Sequence, residues 1–236
     1  MSADVAIIDY GICNLFSVRR AFEHCGASVV VSDDPKALLS APRLVLPGVG
    51  AFADGMRGLI QRGMDKVVLE FANSGKPLLG ICLGMQMLAS VSEEFGEHKG
   101  LAIIPGRVVP IPNTTIEGKP HKIPHIGWTA LEVPAGHVGW DDSILSDVQT
   151  GDSVYFVHSF TVVPENGRHR LADCHYNGRQ ISAAIQKGNV HGCQFHPEKS
   201  GEVGLKILSQ FLSIKNKGSS RNRVGPAVIR EDPIVF

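Results

Sequence analysis

Gly80-Ile81-Cys82-Leu83-Gly84-Met85-Gln86 is the stretch that decides the fold. The apolar run Pro77-Leu78-Leu79 leads into it, and the helix-competent run Met85-Gln86-Met87-Leu88-Ala89 leads out. The order is strand, tight turn, helix, with one reactive side chain at the apex and glycine on both sides. This is the layout of a nucleophile elbow with Cys in place of Ser. Glycines suit it because a nucleophile on a strained turn brings its neighbours close to other backbone, where a Cβ would interfere. A thiol at a helix N-terminus also meets the positive end of the helix dipole, which favours thiolate. The Leu83 N–H is aimed where an oxyanion could form. A lone Cys at a strand end reads first as a buried core residue, and the Gly-x-Cys-x-Gly frame makes the two readings of Cys82 about equal.

Moving towards the N-terminus, Val5–Ile8 is a strand-length apolar run that ends at Asp9-Tyr10-Gly11. From Asn14, apolar residues at Leu15, Val18, Ala21, Phe22 and Cys25 have helical spacing, and Gly26 stops them. Ser28–Val31 and Arg43–Leu46 are further strands, the latter ending in Pro47-Gly48-Val49-Gly50. A second helix carries Ile60, Met64, Val67, Val68 and Phe71 on one face. Strands that are apolar throughout, alternating with amphipathic helices, predict a parallel sheet covered on both faces.

After Ser92 the pattern changes. Residues 101–135 are rich in Pro and Gly, with short apolar pieces and no helix. Ser153–His158, Arg170–Tyr176, Ile181–Gln186 and Val190–His196 read as strands of an antiparallel meander attached to the first sheet. Ser200–Ile214 is a last helix with Leu205, Leu208, Phe211 and Leu212 facing inward, and residues 215–236 form a polar tail expected to be mobile. The fold class is therefore α/β, with residues 1–214 as one domain.

Composition narrows the function. Apolar residues make up 43% of the 236-residue chain, enough for a large core. Lys+Arg and Asp+Glu are both 23, a balance that gives no support to a nucleic-acid or polyanion binder. No apolar run approaches the roughly 20 residues of a membrane span. The start of the chain lacks the basic and long apolar regions of a signal peptide. Five cysteines without metal-type pairs or disulfide spacing point to a reduced, cytoplasmic setting.

The strand ending at Phe195 runs into His196-Pro197-Glu198-Lys199-Ser200. In an extended segment residues i and i+2 share a face, so His196 and Glu198 point the same way. Pro197 restrains both itself and its predecessor. A carboxylate beside an imidazole orients it and stabilises the imidazolium. Cys82, His196 and Glu198 are thus the candidate nucleophilic set. One thiol, one imidazole and one carboxylate make a poor zinc site, so no metal is expected. The glycines around Val49 let that peptide turn its N–H towards the thiol, which with Leu83 would make a two-donor oxyanion hole. An ordinary Gly-rich strand-to-helix turn fits the same residues.

At this point the chain resembles a known family. Gly80–Gln86 together with Gln194-Phe195-His196-Pro197-Glu198 is similar to the class I (triad-type) glutamine amidotransferases. That resemblance implies a flavodoxin-like, mostly parallel sheet flanked by helices with additional antiparallel strands, and hydrolysis of L-glutamine through a thioester on Cys82. It implies no cofactor. Within the class, Asp9-Tyr10-Gly11, Pro47–Gly50, Pro124-His125-Ile126-Gly127-Trp128 and Tyr155–Phe160 are most similar to the glutaminase subunits of imidazole glycerol phosphate synthase. Those pass ammonia to a (β/α)8 cyclase subunit in histidine biosynthesis. Carried over by position, Gly50, Gln86 and Glu94 would contact glutamine, Val49 and Leu83 would hold the oxyanion, and Asn14, Trp128, Tyr155 and Lys199 would lie towards the cyclase. Without the resemblance, Trp128 and Tyr155 could be core aromatics and Lys199 a solvated charge. The chain departs from the family at Cys13, usually Gly, at Thr129, often Asn, and at Ala89-Ser90-Val91. Other class I subunits, such as those serving anthranilate or vitamin B6 synthesis, and a non-catalytic scaffold of the same fold are the competing readings.

Overall fold

A computed structural model describes residues 3–11 and 14–215. The expectation for the tail after Lys215 lies outside these residues. The first half alternates strand and helix as predicted, with an added helix, α2, between the second and third strands: β1 (Val5–Ile8), α1 (Leu15–His24), β2 (Val29–Ser32), α2 (Pro35–Ser40), β3 (Leu44–Gly48), α3 (Phe52–Gln61), α4 (Met64–Asn73), β4 (Leu78–Cys82) and α5 (Leu83–Met87). Two short strands follow, β5 (Val91–Ser92) and β6 (His98–Lys99), then β7 (Gly106–Pro110), β8 (His125–Ala130), β9 (Ser153–His158) and β10 (Phe160–Pro164). The chain continues through β11 (Arg170–Tyr176), β12 (Arg179–Lys187), β13 (Val190–Cys193) and α6 (Gly201–Ser213).

The central sheet has seven strands in the order β11-β12-β13-β4-β3-β1-β2. Its members from β13 to β2 are parallel, and β12 and β11 extend it antiparallel. Both faces are buried, and β1 shows how. Val5 and Ile7 join one apolar cluster with Val18 and Phe22 of α1 and Ile207 and Phe211 of α6. Ala6 and Ile8 join the opposite cluster with Leu38, Leu59 and Phe71 of α2, α3 and α4. Alternation along a strand that is apolar at every position feeds both layers at once. An edge-on contact of Phe22 with Phe211, ring centroids 6.1 Å apart, ties the first helix to the last.

Several expectations need correction. The single helix predicted through Ile60 and Phe71 is two, because Gly63 takes φ +69° and restarts the chain as α4. Ile60 is 55% exposed and belongs to no inward face. The meander holds for β11, β12 and β13, but β9 is not part of it: it pairs antiparallel with β8, a strand the Pro- and Gly-rich segment concealed. A separate four-stranded sheet, β10-β7-β5-β6, covers the region beside the elbow. In α6, Leu208 and Phe211 are buried as expected, with Ile207 beside them, while Leu205 and Leu212 are only partly covered.

Candidate active site

Cys82 ends β4 and stands at the head of α5 with φ +55° and ψ −110°, a backbone conformation that a side chain adopts only under strain, at a cost of about 1–3 kcal/mol. The glycines on either side are there for close approach. A Cβ on Gly84 would lie 1.8 Å from the Leu46 carbonyl oxygen, and one on Gly80 would lie 2.8 Å from the Gly84 backbone. The turn is thereby pressed against β3, and the Cys82 side chain is carried to the carboxyl end of the sheet, where open α/β sheets hold their ligands.

β13 lies beside β4 in parallel register, with Gly192 opposite Gly80 and Cys193 opposite Ile81. The chain just beyond that pairing therefore runs alongside Cys82. His196 follows, 3% exposed, and its Nδ1 lies 2.7 Å from Glu198 Oε1. Glu198 reaches the ring from a 3-10 turn, Pro197–Lys199, and not from an extended segment. Strand alternation, on which the pairing of His196 with Glu198 is expected, is therefore not what brings the carboxylate to the ring. Ser200 rivets the turn: its hydroxyl donates to the His196 carbonyl at 2.6 Å and accepts the Tyr155 N–H at 3.0 Å. Burial alone pulls the His196 pKa down. Its hydrogen bonds with Cys82 and Glu198, and the negative charge of both partners, outweigh that and raise it from 6.5 to about 9. The buried thiols of Cys174 and Cys193 are pushed far up by burial, which leaves them neutral.

A cleft of about 300 Å³ opens in front of Cys82 and His196. Val49, Gly50, Leu83, Gln86 and Glu94 line it, so the predicted oxyanion and substrate residues gather at one place. Gly50 holds φ +93°, and a Cβ on Gly48 would lie 2.5 Å from the Tyr10 hydroxyl. Leu83 is the first residue of α5, where an N–H finds no acceptor inside the helix. Glu94 has one oxygen committed, since Oε2 accepts the Phe52 N–H at 2.6 Å and caps α3, whose Ala51 offers no side-chain cap.

Sequence reasoning gave no role to three residues here. His158 lines the cleft, with Nδ1 2.8 Å from the Phe160 carbonyl. A carbonyl only accepts, so the proton sits on Nδ1, and His158 Nε2 must accept from His125 Nδ1, 3.0 Å away. Burial lowers these rings to about 3 and about 4 respectively, so both are neutral at ordinary pH. Ser200 and Gln194, 1% and 0% exposed, are the others. A polar side chain in an apolar strand ending was the signal available for Gln194.

Of the residues assigned to a partner surface, Trp128 is 58% exposed and meets Tyr155 edge-on across the β8–β9 pair. Ile126, two residues earlier on β8, is 57% exposed. Lys199 is exposed, and Asn14 accepts the Ser17 N–H as the cap of α1. Among the described residues no group of three or more His, Cys, Asp or Glu could hold a metal ion, and no helix is long and apolar enough to cross a membrane.

The family model described as Glutamine amidotransferase class-I matches residues 6–214. The chain belongs to that family. It is 54% identical over 212 residues to the imidazole glycerol phosphate synthase subunit HisH 1 of Legionella pneumophila (strain Lens), a match that covers 90% of this chain and 100% of that one. It is 48% identical over 216 residues to the subunit HisH of Geobacillus sp. (strain WCH70), covering 91% of this chain and 99% of that one. Among solved structures, a glutamine amidotransferase superposes with a TM-score of 0.66 at 16% identity, covering 89% of this chain and 99% of the other. PurLQS from Thermotoga maritima superposes with a TM-score of 0.64 at 19% identity, covering 90% and 99%. These two likenesses concern the fold alone.

Proposed function

We propose that this protein is the glutaminase subunit of an imidazole glycerol phosphate synthase, hydrolysing L-glutamine and passing ammonia to a (β/α)8 cyclase subunit in histidine biosynthesis. The observation that carries the reading is the meeting of Cys82, His196 and Glu198 at one cleft in a chain so similar to HisH proteins.

The Cys82 proton passes to His196, and the sulfur attacks the carboxamide carbon of glutamine. The Val49 and Leu83 N–H groups hold the oxyanion, each such donor being worth about 3 kcal/mol of barrier. His196, which favours its imidazolium form, gives the proton to the departing nitrogen, and ammonia leaves behind a thioester. His196 then takes a proton from water, the hydroxide cleaves the thioester, and glutamate is released with the thiol restored. Glu198 holds the ring and its Nδ1 proton throughout. Gly50 and Gln86 contact the substrate, and the Glu94 oxygen not used at α3 faces its ammonium group.

The exposed apolar pair Ile126 and Trp128, with Tyr155, Asn14 and Lys199, forms the cyclase-facing surface; exposed apolar side chains at alternate positions of one strand are a contact surface. Free thiols at Cys25, Cys82, Cys174 and Cys193 support a reducing, cytoplasmic compartment. Glutamine hydrolysis is measured with and without the cyclase and its ligand. Hydrolysis is expected to rise on assembly, and Cys82→Ala to abolish it while synthesis from added ammonium salt survives. Loss of both activities in Cys82→Ala would remove Cys82 from its assigned role.

A further inference from the structure

The segment after β13 places a fully buried amide next to the nucleophile. Gln194 is 0% exposed, between Cys193 and Phe195, which are equally buried. The parallel register that sets Cys193 opposite Ile81 brings residue 194 level with Cys82. Gln194 and His196, two residues apart, both approach the sulfur: Gln194 Nε2 donates to Cys82 Sγ at 3.8 Å, and His196 lines the same cleft as Cys82, close enough to be charged by it.

The orientation of that amide follows from its neighbours. The Phe160 carbonyl can only accept, and it receives Gln86 Nε2 at 3.3 Å. The Gln86 amide is thereby set with its nitrogen inward. The same nitrogen donates to Gln194 Oε1 at 3.0 Å. Gln194 must then present its own NH2 to the sulfur; flipped, it would oppose NH2 to NH2 and lose the bond. His158 donates to the same Phe160 carbonyl, so that acceptor is held from both sides. Burying an amide is costly when its bonds are unmade, and a Leu or Met would fill this place without the risk. Among the described residues the donor end of Gln194 reaches only Cys82 Sγ.

We propose that Gln194 is a positioning residue for the Cys82 sulfur, its amide donating to the thiolate and holding it between the Gln194 side chain and the His196 ring. This rests on the reading of Cys82 as the nucleophile. The bond is weak to a neutral thiol and strengthens when the sulfur becomes charged, at the moment His196 takes its proton. It disappears when the sulfur is acylated, so it acts on the attacking species.

The test is the rate at which iodoacetamide alkylates Cys82 in the full chain, followed by mass spectrometry on the peptide that contains it, from pH 5 to 10. Gln194→Met keeps the length and removes the donor. Gln194→Glu keeps an acceptor for Gln86 and sets an acceptor-only group against the sulfur. His196, Glu198, His158 and Glu94, the other titratable groups around the thiol, stay unchanged in both. The expected result is a tenfold slower reaction at pH 7, about what one hydrogen bond to a charged group confers. The midpoint rises by about one pH unit, further in Gln194→Glu, while the limiting rate at high pH is retained. In glutamine hydrolysis kcat falls while KM holds. A folded Gln194→Met or Gln194→Glu protein with the wild-type alkylation profile overturns the proposal. A wild-type protein whose Cys82 alkylates normally yet hydrolyses no glutamine with its partner fails the functional reading instead, and the alkylation midpoints still decide the role of Gln194.

Discussion

Replacing Glu198 with Gln keeps the size of the side chain and removes its charge from a place where the carboxylate is 2% exposed and 2.7 Å from the His196 ring. The size of the effect follows from the ring it supports. His196 stands at about 9 against an ordinary 6.5, a preference for the imidazolium worth about 3 kcal/mol. Cys82 and Glu198 supply that preference together, against burial. Removing the charge on Glu198 therefore lowers the ring's pKa, and each unit it falls is a factor of about 10 in the preference for the imidazolium. A glutamine at 198 can also turn its NH2 towards Nδ1 and select the other tautomer, which puts the proton on the nitrogen that must accept from Cys82. Glutamine hydrolysis by the assembled complex, followed from pH 6 to 10, is the assay. The wild-type basic limb is expected near 9. In Glu198→Gln it is expected lower by about one unit or more, with kcat down about tenfold or more, KM little changed, and less loss than in His196→Ala. A variant that kept both its kcat and its basic limb near 9 would refute the orienting and charge-balancing role.

Gly84→Ala places a Cβ 1.8 Å from the Leu46 carbonyl oxygen, a backbone atom that cannot swing aside, so the elbow must move by more than 1 Å. A displacement of that size costs about 10²-fold in kcat, and wild-type turnover in this variant would contradict the packing. Ser200→Ala strips the half-buried Tyr155 N–H of its acceptor and the His196 carbonyl of its donor. A loss of about 1–3 kcal/mol in urea-unfolding stability is expected, together with lower kcat, and unchanged stability would show that the rivet is not needed. His125 and His158 have folded pKa values near 4 and 3, below the unfolded 6.5, so their neutral forms stabilise the fold above pH 6.5 and that stability is lost as pH falls towards 4. Each ring contributes about 2–3 kcal/mol of loss between pH 7 and 4.5. The urea midpoint should fall over that range by less in His125→Gln than in the wild type, and equal falls would exclude this pair as a source.

What could be read in the sequence had local causes. The elbow carries its own signature, because the strain sits on Cys82 itself and the glycines that its close packing demands stand two residues to either side. The parallel half was equally open, since a strand apolar at every position, as Val5–Ile8 is, must feed two layers. The hidden parts were non-local. β8 lies in a stretch whose Pro and Gly content reads as loop, and it becomes a strand only by pairing with β9. Ile60 continued a helical period across Gly63, and period alone does not register that the backbone there turns left-handed. His196 and Glu198 were paired on strand alternation, whereas a 3-10 turn brings the carboxylate to the ring.

The same distinction explains why Gln194 and Ser200 escaped notice although both stand within four residues of His196. Their partners, Cys82 and Tyr155, are 112 and 45 residues away. Which side chain of the 193–196 segment meets the sulfur depends on the register of β13 against β4, and that register is set by the whole sheet. Because side chains alternate, a slip of one residue would exchange the polar set, Gln194 and His196, for Cys193 and Phe195. The site would then offer a neutral thiol and a phenyl ring where the nucleophile needs a donor and a base. The segment Cys193, Gln194, Phe195 and His196 therefore carries two requirements at once: Cys193 and Phe195 join the apolar core, and Gln194 and His196 attend one sulfur. Register is the physical link between the packing of this sheet and its chemistry.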